Sequence, residues 1–135
     1  MSNLSTYVQE ALYNWMLNNT AMPATVATVY IGLSTADPLD DASGLAEPAD
    51  VAYARQPVTF GALASVNGVG TSGSNSAGLI FPTALAPWGS ITHGVLYDAL
   101  VAGNMLEHWA WAVPKGIGIG DTYVVAISDL AVLFR

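Results

Sequence analysis

Cysteine is absent from all 135 residues. That excludes a disulfide framework and a thiolate metal site. Charge is nearly as scarce: charged residues make up 10% of the chain, against about 25% in an ordinary soluble domain. Arg55, Lys115 and Arg135 are the whole basic complement, too scattered to form a basic stripe. With ten acids the net charge is -7, which repels phosphate backbones and argues against a nucleic-acid partner. No run reaches the roughly 18 apolar residues that suggest a membrane span, so no membrane partner is expected. The first basic residue is Arg55, so the positive start of a secretory signal is missing. Long coiled-coil heptads and fibrous repeats are also missing.

Apolar residues, by contrast, make up 53% of the chain. The length is that of a single domain, 1–135, able to bury a core. Thirteen charged side chains cover little of its surface. Either Ser, Thr, Asn and Gly cover the rest, or part of it is buried against other subunits. The composition therefore favours a homo-oligomer.

Residues 1–19 read as a short helix. Leu4, Val8, Ala11, Leu12, Trp15 and Met16 recur at helical spacing. Ser2, Ser5 and Thr6 are candidate N-caps, Thr6 and Gln9 match the capping-box pattern, and Asn18 and Asn19 before Pro23 suit its end. The apolar stripe packs either on the domain's own core or on a neighbouring subunit.

Residues 26–135 read as short strands. One covers about Ala27 to Ser34. The acidic segment "TADPLDDASGLAEPAD" is an exposed loop, and "YARQPVTFG" is a strand whose Pro57 marks an edge or a bulge. "VNGVGTSGSNS" is turn material, and "AGLIFP" is a strand ended by Pro82. A hairpin follows. In its first strand Ile91, His93, Val95 and Tyr97 share one face, with Thr92, Gly94, Leu96 and Asp98 on the other. Gly103-Asn104 is its turn. In the returning "MLEHWAWAV", Glu107, Trp109 and Trp111 lie opposite Leu106, His108, Ala110 and Ala112. "PKGIGIGD" is another turn, and "TYVVAISDLAVLF" is a last strand or two, bent near Ser128-Asp129. Six to eight strands at this spacing predict a mainly β fold, an antiparallel, jelly-roll-like β-sandwich preceded by one short α-helix.

The motifs point away from catalysis. "GIGIG" lacks the G-K-[ST] ending and the following helix of a phosphate loop. His93 and His108 meet across the hairpin only if register allows. A metal would need further ligands; Glu107 and Asp98 are the only near candidates, and Glu107 points away from His108 by alternation. No G-x-S-x-G elbow occurs, and the carboxylates of "DPLDD" sit in a loop without the rigid opposition a glycosidase needs. No enzyme activity, catalytic residue, cofactor or metal is expected.

Several segments occur in a recognisable order: "MSNLSTYVQEALYNWML", "VYIGLSTADP", "YARQPVTF", "SNSAGLIFPTALAPWGSITHGVLYDA", "GNMLEHWAW" and "GDTYVVAISDLAV". Together they resemble a family of small structural proteins of tailed bacteriophages, labelled tail fibre proteins, whose characterised relatives are capsid cement (decoration) proteins. The resemblance covers nearly the whole chain except the loop from Leu39 to Asp50. It implies a subunit that forms a homotrimer, binds the major capsid protein and stabilises the shell from the outer capsid surface. A tail fibre or receptor-binding role is the alternative. The candidate interface residues are Val8, Leu12 and Trp15 on the helix stripe, Arg55 in the "YARQ" segment, and Trp88, which an adhesin would expose as a sugar-stacking platform and which otherwise is a buried cap over the end of the sandwich.

Overall fold

The hairpin is the centre of the molecule. The computed structural model describes residues 2–66 and 70–134. In chain order its elements are β1 (Ser2–Leu4), α1 (Thr6–Leu17), β2 (Val29–Ser34), β3 (Gln56–Val58), β4 (Ala64–Val66), β5 (Gly70–Ser74), β6 (Leu79–Ile80), β7 (Gly89–Tyr97), β8 (Met105–Ile117), β9 (Val124–Val125) and β10 (Ala131–Phe134). A five-stranded sheet runs β1-β8-β7-β2-β3, beside smaller sheets β10-β5-β4 and β6-β9, and every pairing is antiparallel. The fold is mainly β with one short helix. The ten strands among the described residues exceed the six to eight expected, because five are only two or three residues long and carry no periodicity of their own.

Local chemistry fixes the hairpin turn. Asp98 accepts from the Asn104 N–H at 2.7 Å and from Asn104 Nδ2 at 2.9 Å. Gly103 takes φ +77°, and a Cβ there would lie 2.4 Å from Asp98 Oδ1, so glycine is required. Pro57 sits in the edge strand β3, opposite Tyr30 of β2, a position that tolerates a residue without a backbone N–H.

The main core forms where the large sheet meets the smaller ones. Ile31, Leu33, Ile91, Leu96 and Trp109 pack with Phe81, Val125, Leu130 and Val132. A second cluster, Val95, Tyr97 and Met105, is covered by Ala42 and Leu45 of the acidic loop. That division corrects the expected face of Ile91. From Ile91 to His93 the chain advances two residues while its partner on β8 advances five, from Lys115 to Ala110. This irregularity breaks the alternation, and Ile91 joins Leu96 in the main core.

Other boundaries move for similar reasons. Gly70–Ser74, expected as turn, is a strand because β4 and β10 pair on either side of it; the cross-strand partners override its weak propensity. Asn67 to Val69 of the same expected turn lie outside the described residues. Strand β8 continues through Lys115 and Gly116. The turn proper comes later, where Asp121 Oδ2 accepts from the Gly118 N–H at 2.8 Å and Gly120 takes φ +84°.

The N-terminal helix is shorter than expected. Residues 2–4 pair with β8 as an edge strand instead. Ser5 is the N-cap, accepting from the Val8 N–H at 3.3 Å. The Thr6–Gln9 capping box does not form, since Thr6 is already inside the helix; Gln9 Nε2 donates to the Leu4 carbonyl at 2.7 Å. At the other end Asn19 takes φ +51°, and the Thr20 N–H reaches back to the Asn14 carbonyl at 3.1 Å. No residue of α1 is fully buried: Val8, Ala11 and Leu12 are half-buried and Trp15 and Met16 exposed, so its stripe is only partly covered by the subunit itself.

Candidate interaction surface

The acids of the loop over residues 35–50 are structural. Asp50 Oδ2 accepts from the Leu85 N–H (2.7 Å), the Ala86 N–H (3.1 Å) and Trp88 Nε1 (2.9 Å). Its Oδ1 accepts from the Ala52 N–H at 3.1 Å. These donors, Ala52 foremost, hold its carboxyl down at about 2. Glu47 forms a two-pronged ion pair with Arg55, 2.9 Å to Nε and 2.8 Å to Nη2, and also accepts from the Tyr53 hydroxyl at 2.8 Å. Burial, with the nearby Glu47 charge second, pushes the Tyr53 hydroxyl far up.

The rest of the Arg55 guanidinium donates to the carbonyls of Ala99 (3.1 Å) and Ala102 (2.8 Å) and stacks 3.6 Å over the Tyr97 ring. One side chain thus ties the loop to the hairpin turn. Asp40 bonds His108 Nε2 at 2.8 Å, which lowers the Asp40 carboxyl below its ordinary range. His93 bonds Thr92 Oγ1 through Nδ1 at 2.8 Å. Register sets His93 opposite Ala110 and His108 opposite Val95, so each histidine has its own partner and they do not form a pair.

An open cleft of about 320 Å³ lies on the other side of β8, lined by Leu4, Val8, Val29, Phe60, Leu63, Leu96, Leu106, Glu107 and Val132. Glu107 stands between Leu4 and Leu96 in the sheet register. It is 4% exposed, and its Oε2 has no hydrogen-bond partner. Burial pushes its carboxyl up to about 7. Farther along the same face, Trp109 Nε1 and Trp111 Nε1 are also unpaired. The Trp109 ring lies over Gly94, where a Cβ would come within 2.3 Å of it.

Helix α1 starts at this cleft and runs away from it. Val8 lines the cleft, Leu12 is half-buried, and Trp15 is 56% exposed; Tyr13, Met16 and Leu17 are exposed beside it. Of the five candidate interface residues, then, three form one stripe that emerges into solvent at Trp15. Arg55 and Trp88 are engaged inside the subunit, at 7% and 4% exposure. Trp88 is not an exposed sugar platform, because Asp50 holds its indole N–H and Tyr53 packs edge-on against it at 5.4 Å.

Glu107 is the site residue that sequence reasoning undervalued. Its alternation with Trp109 and Trp111 marks a buried acid, but nothing local says that it lacks a partner. The structural roles of Glu47 and Asp50 had no such signal.

Residues 3–133 match the model of a family described as Podophage GP4 fiber I protein gp80. No curated protein matches the chain.

Proposed function

Because the chain belongs to the podophage GP4 fiber I protein gp80 family, and so to the structural proteins of phage virions, we propose that it is a non-enzymatic fibre subunit that works by associating with copies of itself. The observation that carries this reading is the family match across residues 3–133. It puts the fibre role, the alternative of the sequence reading, ahead of a cement role on the outer capsid surface.

The structure supports a building-block role in two ways. Its acids serve as fasteners: Asp50 on Trp88, Glu47 on Arg55, Asp98 on Asn104, Asp121 on Gly118. Its surface also carries large apolar side chains, including Tyr13, Trp15, Met16, Leu17, Val113 and Ile119. Tyr13, Trp15, Met16 and Leu17 lie together on the last turns of one helix, and clustered apolar surface of this kind marks contact with other protein.

Copy number tests the fibre role. The amount of this chain relative to the major capsid protein in purified virions is expected to be small, with antibody label at the tail. A ratio near parity, with label over the shell, would return the protein to the capsid surface as a cement. Absence from purified virions would remove it from the particle altogether.

A further inference from the structure

The apolar stripe of α1 is continuous but only half covered. Val8 and Trp15 lie seven residues apart and so on nearly the same helix face, with Leu12 between them. The seven-residue step carries Trp15 about 10 Å along the axis, beyond the cleft that Val8 lines. A subunit therefore cannot fill its own cleft with its own Trp15. At 320 Å³ the cleft is roomy, since a cavity of about 150 Å³ holds a benzene ring.

The chemistry of the two surfaces is complementary. The cleft is apolar except for Glu107, a buried side chain with an unpaired acceptor. Trp15 is a large apolar ring with one donor, the indole N–H, and it is over half exposed. Trp109 does not serve Glu107: its ring is laid over Gly94, and its own Nε1 is unpaired. The helix itself adds little repulsion to the contact, because α1 carries a single charged residue, Glu10.

We propose that α1 of one copy docks on the next, seating Trp15 in the Leu4–Leu96–Leu106 cleft with its indole N–H on Glu107. This contact rests on the reading of the protein as a self-associating subunit and names the surface it uses. It joins two different patches, so it is head-to-tail and repeats from copy to copy, closing as a ring or continuing as a filament.

The absence of cysteine makes a direct test available. Met16→Cys is placed in one sample and Leu63→Cys, at the exposed rim of the cleft, in another; both are full chains. Mixed and mildly oxidised, they are expected to give disulfide-linked dimers containing one of each. Dimers of like variants alone, or none in the mixture, would overturn the contact. Sedimentation gives the second arm. Trp15→Ala is expected to dissociate the assembly while circular dichroism still shows the folded chain. Trp15→Phe should weaken it about tenfold in the wild-type background, as loss of a hydrogen bond to an acid does, and much less when Glu107 is already Leu. An equal effect in both backgrounds would show that the indole N–H does not meet Glu107 and would overturn the pairing.

Assembly that survives Trp15→Ala, or a Leu63→Cys chain that links in virions only to a different virion protein, would refute this contact and leave the fibre reading standing. Absence of the chain from virions would refute the fibre reading itself.

Discussion

Asp50 and Trp88 are joined by a 2.9 Å hydrogen bond from the indole N–H to Oδ2. The same oxygen takes the backbone N–H groups of Leu85 and Ala86. An acid from a polar, proline-broken loop thus organises the turn that leads into the central hairpin. Asp50→Ala is expected to lower the melting temperature and shift tryptophan emission to the red as Trp88 becomes wetter. The bond also sets a pH dependence. The folded carboxyl titrates at about 2, below the ordinary 3.8, so its stabilisation is present above pH 3.8 and lost as pH falls through 2. Asp50→Asn should flatten acid unfolding in that window, and an unchanged acid limb would count against this role.

Glu107 works in the opposite direction. Its folded value of about 7 lies above the ordinary 4.5, so the folded state binds more protons between those limits. Its contribution is fully present below pH 4.5 and declines as pH rises through 7. The loss is on the order of 2–3 kcal/mol at pH 8. Glu107→Gln should therefore gain stability over wild type at pH 8 and little at pH 4.5, by urea titration at each pH. Equal differences at both would show that the carboxyl is not perturbed.

The Arg55–Glu47 pair predicts a larger cost. Removing one partner leaves the other charge buried, and such losses run about 3–5 kcal/mol. Arg55→Met is expected near the lower end of that range, because the Glu47 side chain keeps 22% exposure. The double variant Arg55→Met/Glu47→Gln should recover part of the loss. Arg55→Lys should not rescue, since an ammonium cannot hold Glu47 with two prongs and reach the Ala99 and Ala102 carbonyls together. Chemical denaturation of wild type, Arg55→Met, Glu47→Gln and the double variant measures the coupling directly.

Gly94→Ala places a methyl inside the Trp109 ring, within 2.3 Å. Overpacking of this kind costs roughly 1–3 kcal/mol. Trp109→Leu shortens the obstacle, so the double variant should fall well short of the sum of the two single losses. Additive losses would show that the ring moves freely and that the contact is not a constraint.

Local features of the fold were legible in the sequence. The Asn18-Asn19 helix end, the Gly103-Asn104 hairpin turn, the bend near Ser128 and the edge position of Pro57 each follow from the backbone preferences of a few adjacent residues. The shared face of Glu107, Trp109 and Trp111 came from simple alternation. Alternation failed at Ile91, where the register slip between β7 and β8 shifts the residue into the main core, and at Leu106, which a second slip between Leu96 and Tyr97 brings into the cleft beside Glu107 rather than opposite it. Composition failed at Gly70–Ser74, which becomes a strand only because β4 and β10 flank it.

The sequence alone, then, determined a mainly β chain with a helix in front, the place of several turns, and an apolar excess too large for its few charges to cover. These are local or additive properties. Only the tertiary structure decided that Asp50 would hold Trp88, that Arg55 would be enclosed by Glu47 and the hairpin turn, that Glu107 would face an apolar cleft without a partner, and that the helix stripe would run out into solvent at Trp15. Each of these depends on which residues far apart in the chain are brought together, and on which pairing best satisfies charges and hydrogen bonds once water has been excluded.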